Sequence, residues 1–245
     1  MAGSGPIEEL AASDAYLAEA EGSVVQVADD GIFLDRTVFY ARGGGQPGDV
    51  GIIRWDGGEV EVVDTIRRDG RPFHVVAEGS LLPDPATPVH GLIDWERRYR
   101  TMRTHTALHA LSGVIFRDFG AKVTGGNMEP GIARMDFELD GISVEFGQEV
   151  ERRLNEELTR GYPTEVIYMA REEALKDPDL IRTKVNLIPE WVKEVRVIDI
   201  VGLDRQADGG THVASTLEVG KVRVVKTESK GKANKRMRIE LSGSQ

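Results

Sequence analysis

Cysteine is absent from the 245 residues. This excludes disulfides, thiol nucleophiles and Cys-ligated zinc fingers, and leaves a metal site of histidine and carboxylate open. No run approaches about 18 consecutive apolar residues, so no transmembrane helix is expected. The first ten residues are acidic and glycine-containing instead of basic and then apolar, which does not read as a secretory signal. A cytoplasmic protein is the resulting expectation. Internal repeats and low-complexity tracts are missing too. Positive charge is in short supply: 31 Lys and Arg against 41 Asp and Glu give a net charge of −10, which argues against broad, non-specific nucleic-acid binding. Trp55, Trp95 and Trp191 are too scattered to propose a base-stacking platform.

The shortage of positive charge is uneven. Between Lys221 and Arg238 lie Lys221, Arg223, Lys226, Lys230, Lys232, Lys235, Arg236 and Arg238, with Glu228 as the single acid. Such a segment can contact phosphate, or it can be a solvated edge hairpin whose lysines block edge pairing.

The chain is long enough for one large domain or two modest ones. Residues 23–80 carry short apolar or alternating runs, Val24–Val27, Gly31–Leu34, Val38–Tyr40 and Val60–Val63, separated by Gly and Asp clusters. That spacing predicts a small barrel or sandwich. Three of the ten prolines fall in 81–88, which reads as a linker. Beyond it the period becomes helical, predicting a helix over 95–119. A strand over 133–139, a helix over 143–160, strands over 164–168 and 195–200, a short helix at 172–176 and a hairpin from 221 to 241 follow. The expected fold class is α+β: a small N-terminal β-barrel over 1–88, then an α+β domain over 89–245 with helices packed on one side of its strands.

Two of the five histidines stand as His105-Thr106-Ala107-Leu108-His109. On a helix, residues i and i+4 share a face about 6 Å apart by rise, a geometry in which two imidazoles can share one metal. The glutamate that an HExxH metalloprotease needs after the first histidine is Thr106 here, so the protease reading fails. A hundred residues later comes Asp208-Gly209-Gly210-Thr211-His212, where a carboxylate and an imidazole flank a tight glycine turn. Each segment alone can be read structurally, the first as two core or surface histidines, the second as a capped hairpin loop. Together they offer three nitrogen ligands and one oxygen ligand, a set suited to a divalent transition metal.

The two motifs, in this order and spacing, resemble the editing domain of alanyl-tRNA synthetase and its free-standing relatives, the alanyl-tRNA editing proteins. Three segments carry the resemblance: Arg36–Gly51 with its Gly43-Gly44-Gly45-Gln46-Pro47-Gly48 core, Asp94–Arg98 followed by Met102–His109, and Ala207–Val213. It extends over nearly the whole chain. A barrel plus an editing domain without a long coiled-coil tail is similar to the medium-length type of that family. One position departs: the commonest family pattern has Cys where this chain has Asp208. A carboxylate is harder than a thiolate, so zinc affinity is expected to fall and the preference against Mn²⁺ or Fe²⁺ to narrow, although Asp remains a competent zinc ligand.

The resemblance implies a metal-dependent aminoacyl-tRNA deacylase acting in trans, without ATP. It would hydrolyse seryl and, by extension, glycyl esters of tRNA(Ala), with one Zn²⁺ per chain on His105, His109, Asp208 and His212. Zinc lowers the pKa of a bound water toward about 7; no general base is assigned. It further implies that Thr124, in Ala121-Lys122-Val123-Thr124, senses the serine hydroxyl, and that Gly44, Gly45 and Gln46 contact substrate. Arg97, Arg100 and Arg103, in a run that also holds Arg98, would meet the tRNA together with Lys232, Lys235 and Arg236. Rival readings are deacylation of another mischarged tRNA such as seryl-tRNA(Thr), a tRNA-binding module whose metal is structural, and a Mn or Fe redox site. Oligomeric state is not legible in the sequence.

Overall fold

Six strands, β1 (Glu19–Ala28), β2 (Gly31–Leu34), β3 (Gly51–Trp55), β4 (Gly58–Arg68), β5 (Arg71–Val76) and β6 (Pro88–Ile93), close into a barrel in the order β1-β2-β5-β4-β3-β6. Every neighbouring pair is antiparallel, and closure removes the free edges that would otherwise pair with other chains. The structure is a computed structural model, and it describes residues 7–177, 180, 192–231 and 233–243. It divides into two compact units, one ending at Tyr99 and the next beginning at Arg100, so the division falls within the helix α1 (Trp95–Phe119). The proline-bearing stretch 81–88 joins β5 to β6 of the same barrel. Pro88 opens β6, a first-residue position that costs no ladder donor.

The barrel core is built from Val24, Ile32, Leu34, Val38, Phe39, Ile53, Val60, Val62, Val76, Val89 and Ile93. Val38–Tyr40, expected as a strand, is a buried connection outside the ladders: its apolar side chains fill the barrel interior without taking part in the pleat. Polar groups inside this unit are individually partnered. Arg98, a member of the arginine run expected to meet the tRNA, is fully buried. Its Nε lies 3.0 Å from both oxygens of Asp49, and its terminal nitrogens donate to Ala15 O at 2.9 Å and Val38 O at 2.8 Å. Asp49 also accepts from the Tyr40 amide at 2.6 Å. A buried ion pair is tolerated only when its remaining donors and acceptors are satisfied in this way.

His74 is likewise buried, with Nδ1 3.1 Å from Ile32 O and Nε2 2.7 Å from Thr37 Oγ1. A carbonyl can only accept, so Nδ1 carries the proton and Nε2 takes the threonine hydroxyl.

The helix α1 starts after Asp94, whose Oδ1 accepts from the Arg97 amide at 3.0 Å, and stops at Gly120, with φ +65°. Residues 101–115 are buried all round, so this helix is the centre of its unit and not a surface helix with one apolar stripe. A four-stranded sheet has the order β12-β13-β8-β7, from β7 (Val123–Glu129), β8 (Ile132–Phe137), β12 (Val222–Ser229) and β13 (Lys235–Leu241). A three-stranded antiparallel sheet follows chain order, β9 (Thr164–Ala170), β10 (Glu194–Ile200) and β11 (Asp204–Ala207). The helix α2 (Val144–Leu158), capped by Ser143 Oγ accepting from the Phe146 amide at 3.1 Å, buries Val150, Leu154 and Leu158 at helical spacing. Its Asn155 pins β12 by a reciprocal pair of bonds with Val222 N and O. The expected short helix at 172–176 is the single turn Arg171–Ala174. Among the described residues no helix is long and apolar enough to cross a membrane.

Burial holds the His74 pKa down to about 4, against a backbone bond to Ile32 that raises it. The unfolded chain, with an imidazole near 6.5, therefore takes up the proton first, and stability present at pH 7 is lost as the pH falls from about 6.5 toward 4. By pH 5 the loss from this group reaches about 2 kcal/mol. In urea titrations of the wild type and His74→Gln, the stability gap between them should narrow by that amount from pH 7 to pH 5. An unchanged gap would remove His74 as the titrating group.

Candidate metal centre

The helix α1 delivers His105 and His109 one turn apart, ring centroids 5.1 Å from each other. The second half of the cluster comes from the loop after β11. The Asp208 amide donates to Arg196 O at 3.1 Å, and one Arg196 terminal nitrogen donates back to Asp208 O at 3.0 Å and Gly210 O at 2.8 Å. The Asp208 carboxylate accepts from the Gly210 amide at 2.5 Å, closing the tight turn. The loop is fastened to the helix by Thr106, whose hydroxyl accepts from the Val213 amide at 3.2 Å and lies 3.2 Å from His212 Nδ1. Thr106, significant in the sequence only because it is not a glutamate, thus ties the loop to the helix.

These elements bring one ligand atom each of His105, His109, Asp208 and His212 within 4.8 Å of one another. His212 stacks on His105 with centroids 4.2 Å apart and stands edge-on to His109 at 4.7 Å. Asp208 Oδ1 is 3.6 Å from His105 Nε2, and Oδ2 is 3.3 Å from His212 Nε2. Tetrahedral bonds of about 2.0–2.1 Å place ligand atoms about 3.3–3.4 Å apart; the Asp208–His212 separation matches such an edge, and the His105 contact, made by the other carboxylate oxygen, is longer. The outward nitrogens of two rings have partners of their own: His212 Nδ1 faces Thr106, and His109 Nδ1 lies 3.0 Å from Asp204 Oδ2. That leaves Nε2 of each toward the cluster, the usual orientation of a metal-binding imidazole. The group could hold a divalent ion.

Electrostatics points the same way. Burial lowers the His105 pKa to about 4, with Asp208 opposing, and burial followed by the nearby His105 takes His212 well below its ordinary value. Both rings are neutral at pH 7 and keep a lone pair to donate. Burial opposes ionisation of Asp208, but the neighbouring His105 and His212 outweigh it and hold the carboxyl well below the usual range.

The other expected site residues have varied placements. Thr124 lies in β7, and its hydroxyl donates to Asn234 Oδ1 at 3.1 Å. Gly44 and Gly45 take φ +58° and +85° in a turn of the barrel unit, closed by Gly43 N to Gln46 O at 3.2 Å and Gln46 N to Gly43 O at 2.9 Å; Gln46 is buried. Of the basic residues expected at tRNA, Arg100 is exposed and Arg97 half-buried. Three are held internally instead. Arg103 is buried with Nε and a terminal nitrogen on Val219 O at 3.2 and 2.9 Å. Lys235 is buried with Nζ 2.6 Å from Gly231 O. Arg236 forms a two-pronged pair with Asp136 at 2.6 and 2.8 Å. Lys232 and Trp191 lie outside the described residues. Sequence reasoning did not find Asp204, Gln206 or Arg196; an acid and an amide at alternate positions of a short strand carry no signal until their neighbours are known.

Residues 9–97 match the family described as tRNA synthetases class II (A), and residues 195–238 match the threonyl and alanyl tRNA synthetase second additional domain. Over 235 residues the chain is 37% identical to alanyl-tRNA editing protein AlaX-M of Saccharolobus solfataricus, covering 94% of this chain and 97% of that protein. It is 36% identical to the AlaX-M of Methanosarcina acetivorans, over 93% and 96% of the two chains. It is 34% identical to the longer AlaX-L of Pyrococcus horikoshii, covering 92% of this chain and 56% of that one.

Thr106→Val keeps the volume of the buried side chain but leaves the Val213 amide without its acceptor. Such a loss costs about 1–3 kcal/mol. Guanidinium denaturation should read a destabilisation in that range with His105 and His109 unchanged; a neutral variant would mean that the loop is fastened elsewhere.

Proposed function

The chain belongs to the alanyl-tRNA editing proteins, and from that premise we propose that it hydrolyses the ester of serine, and secondarily of glycine, wrongly attached to tRNA(Ala), with one zinc ion held by His105, His109, Asp208 and His212. The observation that carries the metal in this reading is the buried set of three imidazoles and one carboxylate with ligand atoms within 4.8 Å of one another. When bound there, zinc supplies Lewis acidity toward an ester carbonyl. His105 and His212 stay neutral and Asp208 ionised, so the site needs no proton release from its histidines at pH 7 to accept a cation. No side chain is proposed as general base.

Sparing the correct product is the harder task, because alanine is smaller than serine and cannot be kept out by size. A hydrogen-bonding group solves this by contacting the seryl hydroxyl and losing that contact when alanine enters. Thr124 is proposed for this role. Its own proton is directed to Asn234 Oδ1 at 3.1 Å, so its oxygen is left to accept a proton that a seryl group has and an alanyl group lacks. Gly44, Gly45 and Gln46 are proposed as substrate contacts on the family resemblance alone. Phosphate contact is proposed for Arg97 and Arg100; Arg103, Lys235 and Arg236 are committed to carbonyl or carboxylate partners within the protein.

The test is direct. Seryl-, glycyl- and alanyl-tRNA(Ala) and seryl-tRNA(Thr) are incubated with the protein, with and without chelator, and with His109→Ala. Chelator-sensitive loss of the seryl ester of tRNA(Ala), with the alanyl ester intact and His109→Ala inactive, is the expected pattern. Preferential hydrolysis of seryl-tRNA(Thr) would move the reading to that substrate, and survival of every ester in protein carrying zinc would sink it.

Replacing the proposed sensor with an isostere, Thr124→Val, should lower the seryl-over-alanyl rate ratio roughly tenfold, the worth of one neutral hydrogen bond. An unchanged ratio would remove Thr124 from the pocket.

A further inference from the structure

Asp204 adjoins the centre without being one of its four clustered ligands. It opens β11, and its side chain is completely buried. A buried carboxylate is costly unless its lone pairs are taken up. Here Oδ2 lies 3.0 Å from His109 Nδ1 and accepts from Gln206 Nε2 at 2.8 Å, while the same amide donates to Ser112 Oγ at 3.1 Å. His109 and Ser112 are three residues apart on α1, so Gln206 and Asp204 grip one face of that helix from β11.

The approach is close because of Gly113, one turn beyond His109. A Cβ at Gly113 would fall 2.6 Å from Leu203 O and 3.1 Å from Asp204 Cβ. Neither is the far end of a flexible side chain, so any larger residue would push the start of β11 away from the helix. Gly113 is a notch that lets Asp204 reach the ring.

We propose that Asp204 is a positioning residue for the metal centre: its carboxylate holds the proton of His109 on Nδ1, and thereby presents the Nε2 lone pair to the cluster of His105, Asp208 and His212. The chemistry is one-directional. An ionised carboxylate oxygen accepts and cannot donate, so only the tautomer protonated at Nδ1 satisfies it, and that tautomer is the one whose Nε2 is unprotonated. The negative charge also raises the basicity of the ligating nitrogen, and loss of such a partner typically weakens metal binding about 10–100-fold. The inference rests on the proposed metal reading for its consequence, but its first measurement does not need the metal.

That measurement is the tautomer of His109 in the metal-free wild type, read from the ¹⁵N shifts of its ring nitrogens. Protonation at Nδ1 is expected. Protonation at Nε2 would overturn the proposal, whatever any variant does. The second is zinc affinity by chelator competition for the wild type, Asp204→Asn and Gly113→Ala. Asn keeps the size of the side chain but can offer an N–H to the ring, which favours the wrong tautomer. A loss of about 10–100-fold with a shifted His109 ¹⁵N signature is expected for Asp204→Asn, and a loss in the same direction for Gly113→Ala. Wild-type zinc affinity in a folded Asp204→Asn would overturn the inference alone. A wild type that binds no zinc while His109 carries its proton on Nδ1 would instead overturn the metal reading and leave the positioning contact standing.

Discussion

Gathering three imidazoles and a carboxylate at one buried point is costly in solvation, and the second unit is organised around meeting that cost. Desolvation disfavours every charged form, so His105 and His212 are neutral, and the Asp208 carboxyl stays an anion because its neighbours outweigh its burial. Each of the two halves is then fastened so that its ligands cannot drift. The helix half is set by i,i+4 spacing in α1. The loop half is set by Arg196 on two carbonyls, by the Asp208 carboxylate on the Gly210 amide, and by Thr106 across to Val213. A helix buried on all sides is the natural carrier: its polar residues Thr106, His105, His109 and Ser112 are inside because their partners are inside. The glycine at 113 is the geometric counterpart, the point at which backbone comes close enough for a carboxylate from β11 to reach an imidazole.

The barrel unit obeys the same rule with different chemistry. Its interior holds an arginine, an aspartate and a histidine among valine, isoleucine and phenylalanine, and each has fixed partners. Arg98 is surrounded by two carboxylate oxygens and two carbonyls, and His74 by a carbonyl and a hydroxyl. Such groups define one arrangement more sharply than apolar packing does, since a displaced neighbour leaves a buried donor unpaired.

Legibility followed from how local each signal was. The helix over 95–119 could be read because its apolar residues recur at helical spacing; the structure adds that Asp94 caps it and Gly120 stops it. The four candidate ligands could be read because two of them share a helix turn and two share a glycine turn. The strand Gly51–Trp55 was missed, as its run is short and opens on glycine, and so was Asp204–Ala207, whose four residues alternate without any apolar majority. Val38–Tyr40 looked like a strand because it is apolar; being buried and being pleated are different things. The arginines between 97 and 103 looked alike, yet 98 and 103 face inward and 100 outward, since positions on a helix turn by about 100° per residue and burial is decided by what lies opposite.

By itself the sequence determined the fold class, the long helix of the second half, the four candidate ligands and the family resemblance, all carried by spacing along the chain. Tertiary structure alone decided which basic residues remain at the surface, that Thr106 fastens the loop, and that Asp204 stands behind His109. Those are contacts between residues about a hundred positions apart, and no periodicity records them. Their partners are chosen by the packing of a strand against a helix at a glycine, which exists only once the chain is folded.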